Sequence, residues 1–143
     1  MTKSEIISML GNKYTEGNRD PYAMLYEIDY SDLGISIDLN NETDIAERIH
    51  LYNEKTGTRR GIEVGSTIED VISAYNKENE QIYYIKNGKF YDGIYNGTEK
   101  DIIQYVEVGI TGFIRYEGTK ETKICFYIEN GKVSSITFGH GAE

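Results

Sequence analysis

A chain of 143 residues with one Pro, no Trp and a single Cys is long enough to bury a core without disulfides or a metal, and Cys125 has no partner to bridge. Twenty-four acidic against 15 basic side chains give a net charge of −9, which repels phosphate backbones and argues against direct nucleic-acid binding through a basic stripe. Charged residues at 27% and hydrophobic ones at 38% exclude a disordered tail, and no apolar run approaches the roughly 18 residues of a membrane-spanning helix.

The usage leans towards strands, with 20 Ile against 4 Ala and 13 Tyr, although an AT-rich bacterial genome would encode part of the same bias. The start, Met1-Thr2-Lys3-Ser4-Glu5, carries no apolar signal region and no lipid-attachment Cys. As written the chain reads as cytoplasmic; if Met1 replaces a removed leader it reads as envelope or extracellular.

In chain order, the first predicted element is a helix capped by Thr2, with Glu5 three residues on, Ile6, Ile7, Leu10 and Tyr14 as its buried stripe, and Gly11 or Gly17 at its end. Runs at 23–30, 34–39 and 45–52, separated by turn-rich segments, read as a three-stranded meander. A second helix is marked by Ile68, Val71, Ile72 and Tyr75 at i, i+3, i+4, i+7, with Ser66 or Thr67 as cap and Glu69 or Asp70 completing a capping box. Two hairpins are signalled by Asn-Gly turns, 82–86 with 89–91 around Asn87-Gly88, and 123–129 with 132–138 around Asn130-Gly131. Between them 102–108 and 110–116 read as strands, with a short helix capped by Thr98 as the competing reading of the first.

Sliding the chain against itself by 65 positions aligns Thr2 with Thr67, Glu5 with Asp70, Ile6 with Val71 and Leu10 with Tyr75. The expectation is an α+β fold, one domain over 1–143 built of two tandem helix-plus-antiparallel-sheet repeats, about 1–60 and 61–143, with the helices covering one face of the sheet.

Residues 58–76 carry Gly61-Ile62-Glu63-Val64-Gly65 followed by Thr67, Asp70, Val71 and Tyr75. They resemble the G-I-x-V-G-x-S/T-x-x-D/E-V-x-x-x-Y/L-G signature of small bacterial envelope domains, similar to the β-lactamase inhibitory protein and to small outer-membrane assembly lipoproteins. Asn76 stands where the signature has Gly, and there are no paired Cys. The resemblance implies the same helix-and-sheet repeat and a non-catalytic, inhibitor-like or lipoprotein-like role in binding proteins.

Chemistry is sparse. Gly61 and Gly65 before a capped helix could cradle a phosphate, but Glu63, Glu69 and Asp70 crowd that end and no G-K-S/T follows, so Gly61, Gly65, Ser66 and Thr67 read as a structural strand-to-helix turn. Arg59 and Arg60 read as a solvated pair or as a grip on an acidic partner. Asp38, Asn40, Glu42 and Asp44 alternate like calcium ligands, yet Thr43 and Ile49 occupy the Gly and Glu positions of an EF-hand loop. His50 and His140 lack zinc spacing, Cys125 sits between Ile124 and Phe126 as a strand residue, and no nucleophile triad is visible. No catalytic residue, metal or cofactor is expected.

The tyrosines remain. Tyr83, Tyr84, Tyr91, Tyr95, Tyr105, Tyr116 and Tyr127 fall in the predicted strands of the second half; they form either a protein-binding face or the half-buried rows of an ordinary sheet. The leading expectation is a non-catalytic bacterial protein-binding module of envelope type, using Tyr83, Tyr91, Tyr95, Tyr105, Tyr116 and Tyr127. The alternatives are a cytoplasmic acidic antagonist of a nucleic-acid-binding enzyme and a small hydrolase with a carboxylate pair.

Overall fold

The computed structural model describes residues 1–75, 81–86, 89–91, 112–117 and 123–139. The expected strand at 102–108, the turn Asn87-Gly88, and Tyr95, Tyr105 and His140 lie outside the described residues.

Helix α1 (Lys3–Leu10) begins at Thr2, whose N–H donates to Glu5 Oε2 at 2.7 Å while the Glu5 N–H donates to Thr2 Oγ1 at 3.3 Å. It stops at Gly11, φ 88°, whose N–H closes the last turn on the Ile7 carbonyl. Helix α2 (Ile68–Tyr75) opens with the same device: the Thr67 N–H donates to Asp70 Oδ2 at 2.9 Å and the Asp70 N–H to Thr67 Oγ1 at 3.2 Å. Each cap also backs onto a strand start, Thr2 bridging to Ile45 and Thr67 to Lys132.

The strands are β1 (Thr15–Glu16), β2 (Leu25–Tyr30), β3 (Ile35–Asn40), β4 (Ala46–Leu51), β5 (Gln81–Lys86), β6 (Lys89–Tyr91), β7 (Gly112–Glu117), β8 (Lys123–Glu129) and β9 (Lys132–Gly139). All pairings between them are antiparallel, in the order β1-β2-β3-β4-β9-β8-β7-β5-β6. The β8–β9 turn places Asn130 at φ 50° and Gly131 at φ 80°, the two positive values a type I′ hairpin requires.

This architecture corrects the expectation of tandem helix-plus-sheet repeats. The two halves are fused by β4 and β9, paired from Arg48↔Gly139 to Leu51↔Ile136, into one sheet. Ile6 of α1 and Val71 of α2, both 0% exposed, belong to one core. Nor can the helices cover the sheet: nine strands span roughly 38 Å, whereas eight helical residues reach about 12 Å. The 65-residue offset matches features that any capped amphipathic helix shares, and these hold no information about strand partners.

Alternation sorts the sheet into two faces. Tyr26, Ile28 and Tyr30 on β2, Ile35, Ile37 and Leu39 on β3, Leu51 on β4, Ile136 on β9 and Ile124 and Phe126 on β8 line the face beneath the helices. Tyr75 of α2 packs on Phe126 at 5.1 Å between ring centroids, and the Tyr30 hydroxyl donates to the Gly11 carbonyl at 2.8 Å. Full burial of each large apolar side chain contributes about 1.5–3 kcal/mol, which explains why a short helix with three buried positions, Ile68, Val71 and Tyr75, is held firmly.

Candidate functional site: the polar face of the sheet

On the face away from the core, the register of β3, β4, β9 and β8 assembles a row of polar side chains. Ile37-Asp38-Leu39, Ile49-His50-Leu51, Ile136-Thr137-Phe138 and Ile124-Cys125-Phe126 each send two apolar residues into the core and the middle one to the opposite side. Because His50 pairs with Ser36 and Thr137, and Thr137 with Cys125, the four strands bring these residues side by side.

His50 is the centre. Its Nε2 lies 3.1 Å from Asp38 Oδ2 and its Nδ1 2.9 Å from Thr137 Oγ1. Arg48 Nε contacts the same Asp38 oxygen at 3.1 Å. The hydrogen bond from His50, followed by the charges of His50 and Arg48, holds the Asp38 carboxyl below the ordinary carboxylate range against the opposing effect of burial. An ionised Asp38 only accepts, so His50 Nε2 carries the proton in that bond. On β8, two residues from Cys125, Tyr127 has its pKa pushed up by burial and then by Cys125.

The exposures grade across the row. The side chains of Arg48, His50 and Asp38 are 38%, 29% and 17% exposed, whereas Thr137 is 3% and Cys125 0% exposed. Asp38, His50 and Thr137 stand in the order orienting acid, base, hydroxyl, the order a nucleophilic triad uses. Thr137 is nearly buried, and its hydroxyl is engaged with His50 Nδ1.

At the end of the row Gly139 allows β4 and β9 to close. It has φ +132°, and a Cβ there would lie 2.1 Å from the Glu47 carbonyl oxygen.

A second cluster lies where the N-terminal segment meets the β3–β4 loop. The Tyr26 hydroxyl donates to Asp44 Oδ1, Arg19 Nη2 reaches the same oxygen at 2.7 Å, and the Arg19 guanidinium lies 3.8 Å from the Tyr26 ring centroid. Lys3 Nζ bonds Glu16 Oε2 at 2.8 Å. The alternating acids of 38–44 are thus occupied by protein groups: Asp38 by His50 and Arg48, Asp44 by Arg19 and Tyr26, while Asn40 Oδ1 accepts the N–H groups of Glu42 and Thr43. Among the described residues there is no group of three or more His, Cys, Asp and Glu placed to hold a metal ion.

Of the predicted tyrosines, backbone register sets Tyr116 opposite Ile124, Tyr91 opposite Tyr84, Tyr83 opposite Arg115 and Tyr127 opposite Phe113. The turn residues lie where they join strands to α2: Gly61 has φ +82° and Gly65 φ +96°, with open space at both Cβ positions, so conformation rather than crowding calls for Gly. The Gly65 N–H donates to the Val133 carbonyl and the Val133 N–H to the Ser66 carbonyl, each at 2.8 Å, which anchors the turn to β9. Arg60 is no solvated cation: its Nη1 donates to the Ala74 carbonyl at 2.9 Å and its guanidinium lies 4.6 Å from the Tyr75 ring centroid, at the C-terminal end of α2.

The Asp38–His50–Thr137 line is hidden in the sequence, where its members are 12 and 87 residues apart. One signal is present: a polar residue between two apolar ones in four separate strands marks a shared second face.

No protein-family model matches the chain, and no curated protein matches it. Among solved structures it is similar to an extracellular protein containing a SCP domain from Bacillus anthracis str. Ames, with a TM-score of 0.58 and 11% identity. That likeness covers 98% of this chain and 43% of the other, so the chain spans less than half of that protein's length; at this identity the likeness concerns the fold alone. Among the described residues no helix is long and apolar enough to cross a membrane.

Proposed function

We propose that this chain is a non-catalytic protein-binding module of bacterial envelope or extracellular type, and that it binds through the polar face of its sheet. The observation that carries the reading is the line Arg48–Asp38–His50–Thr137, partly exposed and fixed by hydrogen bonds across three adjacent strands. Groups already ordered on a rigid sheet lose little conformational freedom when a partner engages them, so their hydrogen bonds convert efficiently into affinity. The fold's likeness to part of a longer extracellular protein supports a module that works beside other domains.

The test is capture of partners from envelope and secreted fractions of the host on the immobilised full chain, followed by affinity measurement with Arg48→Glu and Tyr127→Ala. A partner that loses tenfold or more with either variant, at unchanged melting temperature, supports the reading. A partner indifferent to both, whose binding instead falls steeply with salt, replaces it with the acidic-antagonist alternative.

A further inference from the structure

We propose that the cavity between the α1–β1 connection and the β2–β3 turn is a binding site for a neutral, hydroxyl-rich ligand, a sugar residue. The site is separate from the Arg48–Asp38–His50–Thr137 line, and the proposal stands whether or not that line engages a protein.

The cavity has a volume of about 350 Å³, within the range of small-molecule sites. The connection supplies Asn12, Lys13 and Tyr14 and β1 supplies Thr15; opposite them stand Asp29 at the end of β2 and Ser31 and Asp32 in the turn. Much of this frame is fixed before any ligand arrives. Thr15 and Asp29 are partners in the β1–β2 ladder, Asp29 Oδ1 accepts from the Tyr52 hydroxyl at 2.7 Å, and Asp32 Oδ2 accepts from Lys13 Nζ at 2.5 Å. Lys55 Nζ donates to the Asp32 carbonyl at 2.9 Å and fastens the turn. The Tyr14 ring lies 5.4 Å from that of Tyr30, with Lys3 Nζ 5.6 Å from its centroid, so one wall is a packed aromatic ring. Groups held in this way lose little freedom when a ligand engages them.

The lining decides the class of ligand. Among the described residues, Asp29 Oδ2, Asp32 Oδ1 and the side chains of Asn12, Thr15 and Ser31 make no hydrogen bond to protein, so carboxylate acceptors, two hydroxyls and an amide border one space. An apolar ligand would displace their water and return no hydrogen bond. A cation would meet Lys13, and an anion would meet Asp29 and Asp32; with Lys55 fastened to the turn, the two acids and two lysines cancel in formal charge. A neutral polyol satisfies both sides of the lining, because each of its hydroxyls donates to a carboxylate oxygen and accepts from the Lys13 ammonium or the Asn12 amide. The C–H face of a sugar ring has the Tyr14 ring to lie against.

The experiment is an NMR titration of the full chain with glucose, galactose, mannose and N-acetylglucosamine, following the backbone amides of Thr15, Asp29, Ser31 and Asp32, with butylammonium and acetate as charged controls. The expected result is a saturable shift of these amides with at least one sugar, at a millimolar dissociation constant, weakened about tenfold or more by Asp29→Ala and by Asp32→Ala. The Asp32 side chain is 62% exposed, so its replacement leaves the core untouched and decides the matter even where Asp29→Ala fails to fold. Any of three results overturns the proposal: shifts that stay linear for all four sugars, saturable sugar binding that either folded Ala variant leaves unchanged, or tighter binding of butylammonium or acetate than of any sugar.

Discussion

Asp38 has the most to lose among the residues of the polar face. It accepts from His50 and Arg48 at 3.1 Å each, and a group whose carboxyl is held down in the folded state stabilises that state above its unfolded value of about 3.9 and loses the contribution as pH falls through the lower folded value. Asp38→Asn should therefore cost about 1.5–3 kcal/mol at neutral pH, the range of hydrogen bonds to charged groups, and less at pH near 3. Urea unfolding at the two pH values checks it; an equal loss at both would show that the charge contributes nothing. Glycines give a second contrast. Gly139 and Gly65 both have positive φ, but only at Gly139 would an added Cβ meet backbone, the Glu47 carbonyl oxygen at 2.1 Å. Gly65→Ala should cost roughly 1–2 kcal/mol for the left-handed backbone alone, and Gly139→Ala clearly more because β4 must also shift away. Equal melting temperatures for the two variants would contradict this.

At the scale of elements, α2 is a short helix held at both ends by side chains. Thr67 and Asp70 close its start, and Arg60 donates to the Ala74 carbonyl at its end while covering the Tyr75 ring. Thr67→Ala should destabilise by about 0.5–2 kcal/mol. Arg60→Lys should lose part of the stability that Arg60→Ala loses, since an ammonium keeps the charge but not the planar stack. Chemical denaturation of the three variants distinguishes these effects, and an Arg60→Ala variant as stable as wild type would return Arg60 to the solvated surface.

The helix ends are legible in the sequence because a capping box is a local arrangement of residues three apart. Strand positions are legible for a similar reason, since alternation and the Asn130-Gly131 turn are written within a few residues. The two-residue β1 is not, because Thr15–Glu16 carries no alternation long enough to see. The site is legible only by halves. Asp38, Asn40 and Asp44 stand out as an acidic alternation that suggests cation ligands, whereas the actual partners of the two acids, Arg48, His50, Arg19 and Tyr26, come from other strands and segments. The tyrosines stand out as a cluster in sequence, and two of them, Tyr95 and Tyr105, lie outside the described residues.

For the whole molecule, the decisive feature is the pairing of β4 with β9, which converts two strand groups into one sheet and brings His50 to Thr137 across 87 residues of chain. That pairing cannot be read locally: Ile49-His50-Leu51 and Ile136-Thr137-Phe138 carry the same apolar–polar–apolar order as Ile37-Asp38-Leu39, and their adjacency goes with the common packing of Ile49, Leu51, Ile136 and Phe138 against one core. Without it His50 and Thr137 would not meet. The most direct test is the set of cross-strand nuclear Overhauser contacts in the intact chain. Contacts between the backbones of Ile49 and Phe138, His50 and Thr137, and Leu51 and Ile136 are expected; their absence, with contacts confined to the β2–β3–β4 and β7–β8–β9 groups separately, would contradict the continuous sheet and the site built on it.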